Sequence, residues 1–456
     1  MAPLAAALSP AEQRAAIARV TRRLVAFAFV CYVVAYVDRV NIGFAAAALQ
    51  RDLHLSDTAY GIGGGLFFLG YCLFEIPSNL LLERFGARRW IARIMIGWGF
   101  VSMATMFVTG IGTFYAARVV LGIAEAGFFP GMVLYLTYWI PAAERARTGA
   151  LFMMAAPIAI IVGAPVSEAI LSLHDYGGLA GWQWLFLLEG APAVVLGVLA
   201  LRILTDRPEQ AQWLDARQRE WLAATMAAER AARAQHGHAS MFAAFASPKV
   251  WRLSAIYFLN TLVTYGVFLW LPKILRDLSG SAGWRLTVIT AIPFTCALAG
   301  MILVGRHSDR TGERKRHVAA CALIAATGLI VGAAFTDNLP LLVLSFAFSQ
   351  VGQRSVMSVF WSIPPMVLGG TAAAAGIALI NAIGSLGGFV GPSVMGWLRD
   401  TTGGYGGGML VLAAGLIVAA GLVMTMDLPP EPRVTRFAGR RLDRRMPPAR
   451  PVQGPP

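Results

Sequence analysis

The stretch YVVAYVDRVNIGFAAAAL, residues 32–49, lies inside an apolar segment that extends from Leu24 to Gln50 between two arginines. The segment is long enough for an α-helix to cross the hydrocarbon core of a bilayer, which takes about 20 residues. Asp38 and Arg39 lie at its centre, where an ionised side chain costs at least about 2.5 kcal/mol on insertion scales. This pair therefore predicts a partner on another helix, a bound ligand or a wet cavity.

Apolar blocks of similar length recur along the chain. Of its 456 residues, 57% are hydrophobic and 14% are charged, whereas about a quarter of the residues in a soluble domain are charged. In lipid, only helices and closed barrels satisfy their backbone polar groups, and these blocks lack the two-residue alternation of barrel strands. The composition predicts an all-α polytopic membrane protein.

We predict twelve transmembrane helices in two halves of six. The first half, 24–204, has spans at about 24–49, 58–82, 90–109, 113–138, 148–172 and 182–204. The second half, 250–426, has spans at about 250–273, 286–306, 318–336, 340–366, 371–398 and 405–426. Outside the spans we predict a cytoplasmic segment (1–23), a linker with an amphipathic helix on the membrane surface (205–249) and a disordered basic tail (427–456).

The formal net charge of +14 does not indicate a nucleic-acid partner, because of where the basic residues lie. Most of the 38 Lys and Arg residues fall in predicted loops on the side of the N-terminus. The basic residues that face the other side are Arg51, Lys273, Arg276, Arg285 and Arg399. This asymmetry follows the positive-inside rule and predicts that both termini are cytoplasmic.

The chain offers little that an enzyme would need. Its four cysteines lie singly within spans, its six histidines lie outside the spans or at their ends, and no metal-ligand spacing or Walker A signature occurs. An enzyme usually needs a clustered nucleophile, base or metal set. We therefore expect no enzymatic activity, no metal and no cofactor. A non-transporting membrane sensor is a remote alternative, and it would need an output domain.

A short motif occurs once in each half. ERFGARR (83–89) follows the second predicted span, and DRTGERK (309–315) follows the eighth. Two related six-span halves are a transporter architecture, and the motif predicts a gate on the cytoplasmic face in which the glycine makes a tight turn and the acid pairs with bases. The alternative is that the bases only enforce topology. The predicted gate residues are Glu83, Arg84, Gly86, Arg88, Asp309, Arg310, Gly312 and Arg314.

Several longer stretches resemble the major facilitator superfamily and, within it, the anion:cation symporter family, whose members transport tartrate, phthalate, 4-hydroxyphenylacetate and sugar acids. They are YVDRVNIGFA, FEIPSNLLLERFGARRWIARIM, RVVLGIAEAGFFPG, WQWLFLLEGAP and GIALINAIGSLGGFVGP. The resemblance covers roughly residues 24–426. It implies a monomeric, proton-coupled symporter that imports an organic anion across the bacterial inner membrane by alternating access, with the proton as coupling ion.

The fourth predicted span complements the first. Arg118 and Glu125 are two helical turns apart on one face, and Gly122 between them permits close approach of another helix or a ligand. Together with Asp38 and Arg39, they form a cluster that is neutral overall. A structural ion network is one interpretation. The other is that the arginines bind a carboxylate, whose geometry their guanidinium groups match, while the acids carry protons.

The resemblance implies specific roles at matching positions: Asp38 and Glu125 for proton coupling, and Arg39, Tyr71, Arg118, Trp361 and Asn381 for substrate binding. Arg354 departs from the family pattern. It could bind a second carboxylate, as in tartrate or phthalate, or it could extend to the nearer membrane interface. The fifth span lacks the amide side chain common in sugar-acid members, which favours aromatic or short-chain acids.

A second transporter hypothesis also fits the sequence. An exchanger or a drug exporter with the same fold would use the embedded acids to bind cations, and Arg39 and Arg118 would then be structural partners. A measurement of transport separates the two hypotheses. The symporter requires an anionic substrate, whereas the exchanger or exporter requires a cationic one.

Overall fold

The computed structural model describes residues 8–234, 245–281, 283–368 and 372–427. The predicted tail after residue 427 and part of the predicted linker lie outside these ranges. The described residues form helices joined by short connections.

The first half contains spans 1 to 6. Their bounds are Ala26–Leu53, Asp57–Phe85, Ala87–Ala104, Ile111–Glu125 with Phe128–Thr137, Ala142–Met153 with Ala155–Leu171, and Gly181–Ile203. The second half contains spans 7 to 12. Their bounds are Pro248–Ser279, Gly283–Thr311, Lys315–Ala334, Leu339–Phe360, Ala372–Ser385 with Gly387–Thr402, and Gly406–Met424.

Eleven helices among the described residues are long and apolar enough to cross a membrane. Span 10, Leu339–Phe360, is the twelfth helix of the expected arrangement and packs against spans 8 and 9. It is more polar than the others because it carries Gln350, Gln353 and Arg354. The all-α, twelve-helix architecture in two halves therefore holds, with one span recognisable by its position rather than by its hydropathy.

The chain enters span 1 through a continuous helix. Ser9 caps the helix Pro10–Val20 in a capping box with Glu12, as the sequence predicts. A π-helical turn, Thr21–Val25, then joins this helix to Ala26–Leu53 without a break. The first membrane helix is thus an extension of the N-terminal helix.

The linker helix, Ala216–Ala234, packs apolar side chains against the first half, and its expected position on the membrane surface stays a prediction. Leu214, Leu222 and Met226 are buried in the core of the first half. Arg19 of the N-terminal helix donates to Gln218 at 3.2 Å.

The two halves approach most closely along spans 2 and 11. A Cβ atom added to Gly65 would lie 2.6 Å from the carbonyl oxygen of Phe389, and one added to Gly61 or Gly396 would also collide with the backbone of the other span. Small residues at such positions let helix backbones come close enough for extensive van der Waals contact in a membrane.

Polar contacts seal the halves together on the side away from the N-terminus, which we call the far side. Asp400 of span 11 accepts from the backbone N–H groups of Asp57 and Thr58 at 3.2 and 2.7 Å, and so caps span 2 from the other half. Lys273 lies 3.2 Å from Asp57, and Glu168 of span 5 accepts from the backbone N–H of Gly283 at 2.7 Å.

Tyr405, between spans 11 and 12, reinforces this seal. Its hydroxyl donates to Asp277 at 2.5 Å and lies 3.1 Å from the Lys273 ammonium. Burial, together with the hydrogen bond to Asp277, raises the pKa of Tyr405 to about 12 despite the nearby Lys273, so the phenol remains a donor at neutral pH.

On the N-terminal side the arrangement differs. The hydrogen bonds between spans 2 and 11 end at Glu75 and Asn381, about two-thirds of the way along span 2 from its far-side end. Beyond that level, the described residues form no hydrogen bond or ion pair between the two halves. Within the described residues, the polar contacts between the halves therefore lie on the far side and extend no further than Glu75 and Asn381.

Candidate functional site

Arg39 and Glu125 form a buried ion pair between spans 1 and 4. The Nη2 and Nε atoms of Arg39 lie 2.6 and 2.8 Å from Oε1 of Glu125. The Glu125 side chain is fully buried, whereas 10% of the Arg39 side chain is exposed. Adjacent residues point about 100° apart around a helix, so Arg39 finds its partner on another span while Asp38 points elsewhere.

Asp38 is held by neutral donors. Its Oδ1 atom accepts from the side chain of Asn41 at 3.2 Å and from the hydroxyl of Ser102 in span 3. Its Oδ2 atom has no hydrogen-bond partner among the described residues. Asp38 also interacts electrostatically with Arg118 and Glu125. The four charged residues predicted from spans 1 and 4 therefore share one buried region.

Arg118 is the charged residue of this cluster with unused donors. It is buried, and its Nε and Nη1 atoms have no hydrogen-bond partner in the described part of the chain. Its guanidinium group lies 5.3 Å from the ring centre of Phe67, and that of Arg39 lies 5.4 Å from the same ring. Phe67 thus holds two cations near one aromatic ring, an arrangement that leaves Arg118 able to bind an anion.

Close packing of spans 2 and 4 makes this arrangement possible. A Cβ atom added to Gly122 would collide with the carbonyl group of Phe67. The glycine that the sequence placed between Arg118 and Glu125 therefore brings the aromatic ring of span 2 next to both arginines.

Tyrosines surround the remaining faces of Arg39. Its guanidinium group lies 5.6 Å from the ring of Tyr36 and 5.3 Å from the ring of Tyr71. Tyr265 of span 7 interacts electrostatically with both Arg39 and Arg354 and lies 4.1 Å, ring to ring, from Phe68. Tyr265 thus links the charged cluster of the first half to the second half.

Arg354 does not pair with an acid in the described part of the chain. It is half-buried, and its guanidinium group lies 5.8 and 6.0 Å from the rings of Phe268 and Phe294, both of which are buried. Two buried aromatic rings and the nearby Tyr265 hold the guanidinium among spans 7, 8 and 10. This placement favours the binding alternative over extension to the interface.

The other two predicted residues of the second half have protein partners. Trp361 packs edge-on against Tyr257 with ring centres 4.9 Å apart. Asn381 donates to Oε1 of Glu75 at 2.6 Å, across the boundary between the halves. The Oε2 atom of Glu75 has no hydrogen-bond partner among the described residues.

The two copies of the predicted gate motif differ in their contacts. In the second copy, Nη1 of Arg314 lies 2.6 Å from Asp309, as expected for an acid that pairs with a base. In the first copy the acid comes from elsewhere, because Asp206 accepts from the backbone N–H of Arg88 at 2.8 Å. The described residues include no ion pair of Glu83 with the bases of the motif, and its expected pairing stays a prediction.

Both motif glycines make the turn that was predicted for them. Gly86 and Gly312 have φ angles of 88° and 68°, which side chains disfavour. Arg84 lies over the ring of Phe85 at 5.6 Å, and Arg310 is exposed.

Sequence reasoning missed several residues that complete the site. They are Tyr36, Asn41, Phe67, Ser102, Tyr257 and Tyr265. Two of them carried a local signal, because Tyr36 precedes Arg39 by three residues and Asn41 follows Asp38 by three. Residues three apart lie on the same face of a helix.

Two six-helix halves that surround charged side chains at mid-depth are the architecture of a secondary transporter. A sequence profile of the Major Facilitator Superfamily matches residues 28–330 and 274–450. The chain belongs to the Major Facilitator Superfamily, which confirms the resemblance seen in its motifs. It is a multi-pass membrane transporter and not an enzyme.

Two curated relatives extend the comparison. A putative tartrate transporter from Agrobacterium vitis is 48% identical over 409 residues, which cover 90% of this chain and 94% of the relative. A quinolone resistance transporter from Acinetobacter baumannii is 37% identical over 407 residues, which cover 89% of this chain and 93% of the relative.

A solved structure shares the fold. The xylose transporter XylE from E. coli, in a partially occluded inward-open conformation, superposes with a TM-score of 0.72 over 89% of this chain and 97% of its own. At 15% sequence identity this likeness concerns the fold alone.

Proposed function

We propose that this protein is a proton-coupled symporter that carries an organic anion across the bacterial inner membrane by alternating access, with both termini in the cytoplasm. Arg118 and Arg39 bind a carboxylate of the substrate, Tyr71 and Asn381 contribute further contacts, and Asp38 and Glu125 take up and release the proton. Trp361, which packs edge-on against Tyr257, contributes an aromatic surface to the substrate site.

The observation that carries this proposal is the state of Arg118. A buried guanidinium group with two unused donors is expensive to maintain unless a ligand satisfies it, because unpaired buried polar groups are destabilising. A carboxylate is the natural ligand, since its two oxygens match the donor geometry of an arginine. When the anion arrives, its charge changes the electrostatic environment of Asp38 and Glu125, and this links substrate binding to proton binding.

The second half suggests the class of anion. Arg354 lies among aromatic rings without a carboxylate partner in the described structure, and it shares Tyr265 as a neighbour with Arg39. A substrate with two carboxylates could bind Arg118 and Arg354 together. The similarity to a putative tartrate transporter supports short dicarboxylates as the first compounds to test, with aromatic acids next.

The similarity to a quinolone resistance transporter supports a second candidate, a drug exporter that exchanges its cargo for protons. In that case Arg118 would serve only to offset the negative charge of Asp38 and Glu125, and transport would not depend on an anionic substrate.

The test is uptake of labelled tartrate, phthalate, benzoate and a cationic quinolone into proteoliposomes under an inward proton gradient. We expect carboxylate accumulation that collapses with a protonophore. D38N should abolish accumulation driven by the gradient and spare exchange of labelled for unlabelled substrate, because exchange needs no net proton movement. R39A should weaken substrate binding itself. Carboxylate uptake that ignores the gradient, or accumulation that survives neutralising both acids, would overturn the proposal.

A further inference from the structure

The ion pairs of the far-side seal place the bases on one half and the acids on the other. The Nη2 atom of Arg276 in span 7 lies 3.5 Å from Oε2 of Glu168 in span 5. The Nε atom of Arg399 in span 11 lies 3.9 Å from Oδ2 of Asp57 in span 2, and Lys273 lies 3.2 Å from Oδ1 of the same acid. Each of these pairs joins the two halves, so each breaks when the halves part on this side.

Arg276 and Arg399 pair with no acid of their own half in the described structure. Lys273 also pairs with Asp277 of span 7 at 2.9 Å, whereas the two arginines pair only with the first half. The guanidinium group of Arg399 lies 4.6 Å from the ring centre of Tyr405, and its Nε atom has no hydrogen-bond partner among the described residues. Because Tyr405 belongs to the second half, it keeps Arg399 in place when the halves part.

The far-side surface of the second half carries an excess of positive charge. Its bases in the seal are Lys273, Arg276 and Arg399, and its acids there are Asp277, which pairs with Lys273, and Asp400, which caps span 2. Three bases against two acids leave this surface cationic once the acids of the first half withdraw. Two of the bases already face a gap between spans 1 and 7, which is lined by Gly43, Phe44, Ala47, Pro272, Lys273 and Arg276.

We propose that Arg276 and Arg399 form an entry site, which is the first place where the organic anion binds when the far side opens. Glu168 and Asp57 occupy the positions of the substrate carboxylates while that side is closed. A guanidinium group binds a carboxylate of the protein or of a substrate with the same donor geometry. The inference rests on the proposed function, because it needs an anionic substrate and alternating access.

The exchange of one carboxylate for another links substrate entry to closure. While an anion occupies the entry site, Glu168 and Asp57 cannot return to their bases, so the far side stays open. When the anion moves inward to Arg118, the bases regain their acids and the seal forms again. A charge at an entrance chiefly raises the rate of capture, so the entry site should matter at low substrate concentration and not at saturation.

The experiment measures initial uptake of labelled tartrate in vesicles whose far side faces outward, for wild type, R276Q, E168Q and R285Q. R276Q and E168Q break the same ion pair, but only R276Q removes the cation, and the amide in E168Q can still accept from Gly283. R276Q should lower uptake at low substrate concentration about fivefold, the effect of two unit charges at about 4 Å in water. High salt should shrink this difference.

The two other variants serve as matched controls. E168Q should take up tartrate at least as fast as wild type, because the cation remains and its competing acid is gone. R285Q removes an exposed base of the same half that forms no ion pair in the described structure, so it should match wild type. Equal losses in R276Q and E168Q would overturn the inference, because the pair would then serve only to close the far side. A loss in R285Q as large as in R276Q would also overturn it.

The outcomes separate this inference from the proposed function. Gradient dependence in wild type and the D38N variant test the function, and R276Q should reach wild-type accumulation at saturating tartrate. Wild-type uptake with no effect of R276Q at low salt would overturn the inference alone, whereas a wild type that takes up no carboxylate would overturn both. If R276Q is not inserted into the membrane, R399Q compared with D57N decides the matter in the same way.

Discussion

The two halves of the bundle present different chemistry to the site between them. The first half supplies two arginines and two carboxylates that offset one another, namely Asp38, Arg39, Arg118 and Glu125. The second half supplies Arg354 without a carboxylate partner among the described residues, together with aromatic rings and the amide of Asn381.

This contrast indicates that the two halves, although they share one fold, have different roles in transport. A balanced set of charges responds strongly to a single added proton or anion, because each change leaves one charge uncompensated. Arg354 lies among aromatic rings and has no acid partner in the described structure. It therefore attracts an anion and helps to shape the site, but it takes no part in proton binding. Under the proposed symport, the first half couples proton binding to substrate binding, and the second half selects the anion.

The largest effect we expect comes from breaking the ion pair of the first half. R39M should lower the stability of the protein by about 3–5 kcal/mol, because it leaves Glu125 as an uncompensated buried charge. R39M with E125Q should recover most of that loss, since both charges are then gone. The measurement is the apparent melting temperature of the purified protein in detergent. Equal destabilisation by the single and double variants would show that the pair does not balance the first half.

Replacing Arg118, whose Nε and Nη1 atoms have no partner in the described structure, should chiefly weaken substrate binding. R118M should raise the substrate concentration for half-maximal exchange about 100-fold, because two charge-assisted hydrogen bonds to the carboxylate are lost. R118K should lie between R118M and wild type, since lysine keeps the charge without the two-pronged geometry. Binding measured by isothermal calorimetry checks this prediction, and wild-type affinity in R118M would contradict it.

The second half should influence which anion is preferred. R354M should weaken binding of a dicarboxylate about 10-fold, the value of one charge-assisted hydrogen bond, and should leave a monocarboxylate unaffected. The pH midpoint of uptake should not move, because Arg354 has no acid partner among the described residues. Competition of tartrate and benzoate for labelled substrate measures the ratio, and a shifted pH midpoint in R354M would contradict the division between the halves.

The far-side seal should give the smallest effect. D400A removes the cap that span 11 provides to span 2, which is worth about 1 kcal/mol, and should increase the population open on the far side about fivefold. D400N and D400S each keep one acceptor oxygen for these two N–H groups, so they should open less than D400A and serve as controls. Labelling of A47C by a membrane-impermeant thiol reagent, in a background without native cysteines, reports the opening. Equal labelling of D400A and D400N would rule out a capping role.

Much of the architecture could be predicted from the sequence because a bilayer restricts the choices. Blocks of apolar residues, the asymmetry of basic loops and the repeated glycine turn each follow from one strong physical constraint. Asp38, Arg39, Arg118 and Glu125 stood out because ionised groups are rare at such depth.

The rest depended on contacts that no local pattern encodes. Glu75 and Asn381 are 306 residues apart in the chain, and Asp206 reaches Arg88 from the linker side. Tyr265 and Tyr257 resemble ordinary core aromatic residues until their neighbours are known. Ser102 could equally have bonded to its own helix, as serines in membrane helices often do.

The cap on span 2 has a consequence for how the two halves vary. Asp400 binds main-chain N–H groups, which every residue other than proline supplies. The side chain at position 58 can therefore change without removing the acceptor's partners, whereas that of Asp57 also pairs with Lys273 of the other half. Hybrid chains that join the first half of one relative to the second half of another should still close on this side, provided that an acid remains at position 400.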